Sequence, residues 1–151
     1  MSTRTKILAA AAALGALVIV LARGEEPSAQ LRALEADRMA AYVPPGGTLV
    51  DTDSQNEGTS LGKPVSARYT RMFEIAAGTG EPALDHARGA ATAAGWVVHP
   101  PSRAFPNVFV ADKSVPSGRV ELGVTVFLDA RVLPDGVTPP ALQVGLRHLG
   151  R

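Results

Sequence analysis

The chain has 151 residues, which is enough for one domain with a modest core. Aromatic residues make up only 5%, so we expect the core to consist of Val, Leu and Ala rather than large rings. No cysteine is present, which excludes disulfides, thiolate nucleophiles, zinc ribbons and a lipid-modified N-terminal cysteine.

Charge is distributed unevenly along the chain. Of the 15 basic residues, three (Arg4, Lys6 and Arg23) lie within residues 1–24, which contain no acidic residue. The other 12 basic residues and all 14 acidic residues follow, for a net charge of −2. Nucleic-acid-binding domains usually carry a basic excess, so we expect no nucleic-acid partner.

An unbroken apolar run begins at Ile7 and ends at Ala22. As a helix its 16 residues span roughly 24 Å, slightly less than the hydrocarbon core of a bilayer, and the basic side chains of Lys6 and Arg23 can extend it. Because positive charge precedes the run, the positive-inside rule predicts a cytoplasmic N-terminus and an external domain. This run is therefore the predicted membrane partner, in a single-pass protein of the cell membrane.

The same segment also has features of a cleavable signal peptide. Ala22-Arg23-Gly24 has small residues at the positions that a signal peptidase prefers. Cleavage there would make the protein secreted. The length of the apolar run favours the uncleaved anchor over this alternative.

The residues from Pro27 to Tyr42 predict a helix, since proline suits the first helical turn. Leu31, Leu34, Arg38 and Ala41 fall on one weak stripe. We interpret this helix as a short stalk that leans on the domain. It is expected to end at the breaker cluster in residues 44–47.

Residues 48–50 have the pattern that begins a strand, and residues 51–63 predict a long polar loop. Alternation over residues 66–75 predicts the first well-defined strand. The clearest helix runs from about Pro82 to Ala94 and ends at Gly95. Its stripe of small and apolar residues predicts close packing on a sheet: Leu84, Ala87, Ala91 and Ala94.

Four further strands are predicted, at residues 96–99, 107–113, 119–128 and 142–149. The short connections between them favour antiparallel neighbours. We therefore predict an α+β fold, in which an N-terminal transmembrane or signal helix precedes a small antiparallel sheet with one main helix packed on one face. The last strand is expected to be a sheet edge.

These elements divide the chain into three predicted parts. Residues 1–24 form the signal anchor or signal peptide, residues 25–43 the juxtamembrane helix or stalk, and residues 44–151 the extracytoplasmic α+β domain. A soluble fragment is expected to start at about residue 43.

Three short segments resemble a group of uncharacterised actinobacterial proteins. They are residues 44–50, Gly62-Lys63-Pro64 before a strand with Arg and Tyr, and Ala94-Gly95-Trp96 at the end of the Ala-rich helix. Proteins of this group are small, membrane-anchored or lipoprotein-like, and extracytoplasmic. The resemblance implies a location in the bacterial cell envelope. It implies no site residues.

The densest group of oxygen ligands is Asp51, Asp53 and Glu57. The spacing of a helix-loop-helix calcium site fails here, because Gln55, Asn56 and Gly62 occupy its fifth, sixth and twelfth positions. A weak cation site of irregular geometry is the alternative to a solvated loop.

Reactive residues form no recognisable motif. The three histidines, His86, His99 and His148, match no zinc or metalloprotease spacing. Ser117 belongs to no nucleophile motif, although a hydrolase could combine it with Asp85 and His86. We expect the histidines to be structural or exposed.

Three aromatic residues admit two interpretations. Trp96, Phe105 and Phe109 could line an apolar groove or pack in the core. Trp96 directly follows the predicted helix end, where a ring commonly covers the seam between helix and sheet. This position favours core packing.

The sequence therefore predicts a membrane-tethered extracytoplasmic module that binds a cell-envelope protein, without catalysis. Its alternatives are a cell-envelope hydrolase without a recognisable motif and a weak cation-binding domain. No catalytic residue, no metal ligand and no cofactor is assigned.

Orientation can be tested with a reporter fused after Arg151. We expect activity from a reporter that works only outside the cytoplasm, because the basic leader stays inside. Deleting residues 1–24 should return the reporter to the cytoplasm. A reporter that is active only inside the cell with the intact chain would contradict the predicted orientation.

Overall fold

The computed structural model describes residues 25–150. They form an α+β domain with a six-stranded antiparallel sheet, a separate two-stranded hairpin and two α-helices. The predicted anchor from Ile7 to Ala22 lies outside the described residues.

The helices are α1 (Ala29–Glu35) and α2 (Gly80–Ala93), and a 3-10 turn covers Ala130–Val132. The strands are β1 (Thr48–Gln55), β2 (Gly58–Ser60), β3 (Lys63–Val65), β4 (Arg68–Glu74), β5 (Val97–Val98), β6 (Val108–Val115), β7 (Gly118–Phe127) and β8 (Ala141–His148). Strand order in the main sheet is β1-β4-β8-β7-β6-β5, and β2 pairs with β3. Every neighbouring pair is antiparallel.

One face of the sheet carries the core. Apolar side chains alternate with polar ones along β7 and β8, so the buried set lies on a single face. Both helices pack on this face, α1 on β4 and β8, and α2 mainly on β7, β6 and β5. The sheet contributes ten side chains to the core: Phe73, Phe109, Ala111, Val120, Leu122, Val124, Val126, Leu142, Val144 and Leu146.

Helix α2 confirms the main predicted helix. It begins two residues earlier than predicted and ends at Ala93, with Gly95 in the left-handed conformation beyond it. Leu84, Ala87 and Ala91 are buried, so the small-residue stripe brings the helix close to the sheet.

Helix α1 is shorter than the predicted helix from Pro27 to Tyr42. It ends at Glu35, and the chain continues through turns. The carboxylate of Asp37 accepts the backbone N–H of Met39 at 2.8 Å, a local bond that competes with helical pairing. Arg38 and Ala41 are consequently exposed, not buried on the predicted stripe.

Residues of α1 and the following turns belong to the domain core, whereas the sequence predicts a stalk. Five of them are buried in the same cluster as the sheet residues: Leu31, Leu34, Met39, Ala40 and Tyr42. Arg71 of β4 donates from Nη1 to the carbonyl oxygens of Ala40 and Tyr42, at 2.9 and 3.2 Å. This segment is therefore fixed on the sheet by apolar and polar contacts.

The prediction of a long loop at residues 51–63 is wrong. β1 continues to Gln55, and β2 and β3 form a hairpin around Leu61. Nearly all of these side chains are exposed. The sequence therefore shows no alternation of apolar and polar residues that would indicate these strands. Backbone pairing with β4 makes β1 a strand, and that pairing is a tertiary contact.

The prediction that the last strand is an edge is also wrong. β8 lies in the middle of the sheet, between β4 and β7. Its alternate residues are almost completely buried, as a central position requires. The edge strands are the eight-residue β1 and the two-residue β5.

A largely buried carboxylate connects three parts of the chain. Asp37, whose side chain is 10% exposed, accepts hydrogen bonds from the indole N–H of Trp96 at 3.1 Å and from Nζ of Lys113 at 2.7 Å. Lys113 also donates to the carbonyl oxygen of Ala94, at the end of α2. The turn after α1, the end of α2 and strand β6 are thereby held together.

Replacing Asp37 should therefore destabilise the domain strongly. We expect Asp37→Ala to lower the free energy of unfolding by about 3 kcal/mol, because two largely buried donors lose their acceptor. Urea titration of the full chain in detergent, followed by Trp96 fluorescence, measures the change. Asp53→Ala is the matched control, since its ion pair with Arg68 is half exposed and contributes at most about 1 kcal/mol. Equal effects of the two variants would contradict the importance of Asp37.

The length of a stable soluble fragment follows from the core contacts of α1. We expect residues 25–151 to unfold cooperatively in urea and residues 43–151 to show no cooperative transition. The shorter fragment lacks five buried side chains, and each large one contributes about 1.5–3 kcal/mol against a typical total of about 5–15 kcal/mol. If residues 43–151 unfolded cooperatively at the same urea concentration as residues 25–151, the first 18 described residues, 25–42, would be dispensable for stability.

Candidate functional site

Strand β1 is the longer of the two edge strands of the sheet. It pairs with β4 on one side, and no strand within residues 25–150 pairs with its other side. Seven of its eight residues are exposed. An edge of this kind presents N–H and C=O groups that can pair with another extended chain.

The start of β1 is irregular. The register with β4 shifts between Leu49 and Asp51, so that Val50 lies in a bulge. Leu49 and Val50 are 46% and 38% exposed, which leaves apolar surface beside the open edge. Bulges and charged residues such as Asp51 and Asp53 limit self-association of an edge strand.

The predicted cation ligands do not come together. Asp51 and Asp53 lie on β1 and Asp53 forms an ion pair with Arg68 at 3.0 Å. Glu57 follows β1 and accepts a hydrogen bond from the Ser28 hydroxyl. Within residues 25–150, no group of three or more His, Asp or Glu side chains is arranged to hold a metal ion.

The turn after β1 instead connects the edge strand with the start of α1. Ser28 is the N-cap of α1, and its backbone N–H donates to Oδ1 of Asn56 at 2.8 Å. Nδ2 of Asn56 donates to the carbonyl oxygen of Glu26 at 3.2 Å. Beside these bonds lies an open cavity of about 720 Å³, lined mostly by polar residues between residue 25 and the hairpin.

Ser117 contacts His148, a pairing that the sequence did not suggest. The Ser117 hydroxyl lies 2.9 Å from Nε2 of His148, which is completely buried. On the other side of the ring, the backbone N–H of Gly150 donates to Nδ1 at 3.0 Å. Gly118 allows this approach, since a Cβ there would overlap the carbonyl oxygen of Gly150.

The hydrogen bonds fix the tautomer of His148. A backbone N–H can only donate, so Nδ1 is the acceptor and the neutral ring carries its proton on Nε2. Nε2 then donates to Ser117 and cannot remove the proton of that hydroxyl. The pair closes the end of the sheet and lacks the arrangement of a nucleophile with its base.

The other two residues of the hypothetical hydrolase lie elsewhere, on α2. Asp85 is bound to Nη1 of Arg88 at 2.6 Å, and Nδ1 of His86 is 2.9 Å from the Tyr42 hydroxyl. Burial raises the pKa of Tyr42 to about 12, so the phenol remains protonated at physiological pH. Asp85, His86 and Ser117 therefore form no common site.

His99 lies near the opposite edge of the sheet. Its Nε2 is 2.8 Å from Oδ2 of Asp112, and the same oxygen accepts from Arg119 at 3.0 Å. Oδ1 of Asp112 is buried and has no hydrogen-bond partner among the described residues. Asp112 and Arg119 also line an open cavity of about 580 Å³, and the three side chains form a polar group at its side.

The aromatic groove is absent from the described part of the chain. Trp96 and Phe109 are buried in the core, as the core-packing interpretation predicts. Phe105 is instead 66% exposed, on the loop before β6. The rings therefore do not line one surface.

No known protein family, curated protein or solved structure matches this chain. Neither helix within residues 25–150 has the length and apolar character needed to cross a bilayer.

The tautomer of His148 predicts that Ser117 is not an activated nucleophile. We expect a fluorophosphonate probe to label the full chain no more than it labels Ser117→Ala. Intact mass spectrometry after incubation measures the labelling, with a known serine hydrolase as positive control. Labelling that disappears in Ser117→Ala would contradict this assignment.

Proposed function

We propose that this protein is a membrane-tethered extracytoplasmic module that binds a cell-envelope protein without catalysis. The tether is the apolar segment from Ile7 to Ala22, with the N-terminus in the cytoplasm and the α+β domain outside. The binding element is the open edge of β1, which accepts an extended segment of the partner as an additional strand.

The main support for this proposal is the exposure of β1. The strand has eight residues, a length typical of stable strand pairing, and one of its two sides has no partner strand among residues 25–150. Alternate exposed side chains supply specificity, while the backbone supplies hydrogen bonds. The other edge, β5, has two residues and offers far less pairing.

The contacts of the reactive side chains support a non-catalytic role. Ser117, His148 and His86 are each bound within the fold in geometries that do not activate a nucleophile. Asp53 and Glu57 are likewise engaged with Arg68 and Ser28.

Site-specific photocrosslinking tests the edge. A benzophenone side chain at Thr52, exposed on β1, should capture a discrete cell-envelope protein in cells that express the full chain. The matched control is the same group at Ala93, exposed on α2. Equal capture at both positions, or none at Thr52, would contradict binding along β1.

Proline substitutions distinguish backbone pairing from side-chain contact. Successive backbone N–H groups of a strand point to opposite edges, so one of Asp53→Pro and Ser54→Pro removes a donor on the open side. With the benzophenone kept at Thr52, that variant should remain folded and lose the crosslink, whereas Ser54→Ala should keep it. Retention of the crosslink in both folded proline variants would exclude strand addition.

A further inference from the structure

The tip of the β2–β3 hairpin exposes a leucine in an unfavourable backbone conformation. Ser60 pairs with Lys63, which leaves Leu61 and Gly62 as a two-residue turn. Both residues have positive φ, 50° for Leu61 and 76° for Gly62. Turns of this kind favour Asn or Gly at the first position, because a larger L-residue is strained there.

The side chain of Leu61 makes no compensating contact within the described domain. It is 100% exposed, the highest value among the large apolar residues between positions 25 and 150. The neighbouring hairpin residues are exposed as well, except for the partly buried Val65. The unfavourable backbone conformation and the full exposure of the side chain together make Leu61 the described apolar residue best placed to contact something outside the domain.

The hairpin lies next to the point where the described chain meets the predicted anchor. Glu25 and Pro27 line the same cavity as Thr59 and Ser60. Glu25 follows Ala22 by three residues, which span at most about 10 Å when fully extended. The base of the hairpin is therefore within a short distance of the predicted membrane surface.

We propose that Leu61 inserts into the interfacial layer of the membrane that holds the anchor, with Lys63 beside it binding lipid phosphate. This inference rests on the anchor in the proposed function. A leucine transferred from water to an apolar environment favours the inserted state by about 10-fold to 150-fold. The anchor keeps the tip at high local concentration, so one residue is sufficient for contact. The exposed carboxylates of Glu25 and Glu57 restrict the contact to the tip.

The absence of cysteine allows a clean test with the full chain. Leu61→Cys carries a small polarity-sensitive fluorophore and is reconstituted in vesicles of phosphatidylcholine and phosphatidylglycerol. We expect blue-shifted emission and quenching by lipids with brominated acyl chains. Leu128→Cys is the matched control, because Leu128 is also exposed, at 63%, but follows the opposite end of the sheet. It should show neither effect.

A second pair of labelled variants separates the effect of the leucine side chain from that of the fluorophore. Ser60→Cys is labelled in the presence of Leu61 and in the presence of Leu61→Asp. We expect the ratio of inserted to free tip to be at least about tenfold lower with aspartate, because the apolar transfer is lost. Equal quenching in both chains would overturn the proposal.

The remaining outcomes are also decisive. If the chain floats with vesicles but the fluorophore on Leu61→Cys is not quenched, membrane contact of the hairpin is wrong and the anchor stands. If the chain fails to float with vesicles, both the anchor and this inference are wrong. A blue shift without lipid quenching that grows with protein density indicates contact with a second copy, and this too overturns lipid insertion.

Discussion

The carboxylate of Asp37 holds together the turn after α1, the end of α2 and strand β6 on the inner face of the sheet. It binds the turn after α1, the indole of Trp96 beyond α2 and the ammonium of Lys113 on β6. A charge this deeply buried is unfavourable unless it is paired and hydrogen-bonded, so the three donors must remain in place together. Lys113 extends the connection to the last turn of α2 through Ala94. Together with Arg71 and the buried apolar side chains, the carboxylate holds residues 36–42 on the sheet.

Polar side chains that could support catalysis have structural partners in this fold. His148 and Ser117 close the end of the sheet where the C-terminal segment returns over Gly118. Arg71 binds two carbonyl oxygens of the segment after α1 and lies 4.9 Å from the Phe73 ring. Because these groups satisfy buried polar atoms, they stabilise the domain in the same way as a core contact. In the proposed function, the partner therefore pairs with accessible backbone rather than with reactive side chains.

The two proposals give the domain a defined relation to the membrane. The turn that binds Ser28 also joins β1 to the hairpin, so the Gln55 end of β1 lies near the first described residues, which follow the proposed anchor in the sequence. From there the strand extends roughly 26 Å, at about 3.3 Å per residue. Contact of Leu61 with the interface would therefore fix the direction in which the open edge leaves the bilayer. A partner strand could pair with that edge only if it lies along the same axis relative to the bilayer.

Several elements were determined by the sequence alone. The alternation in β7 and β8 and the Ala-rich stripe of α2 each specify a buried face without reference to the rest of the chain, and the structure confirms the antiparallel α+β fold. Residues 48–50 were predicted to begin a strand, but the rest of β1 could not be predicted, because its exposed side chains carry no periodic signal and its pairing is made by the backbone. The sequence also could not place β8 in the centre, nor bring Ser117 to His148, since both depend on contacts between distant segments. The burial pattern of one helix or strand follows from the order of its own residues. Strand neighbours and polar pairs are decided only when distant segments meet in the folded chain.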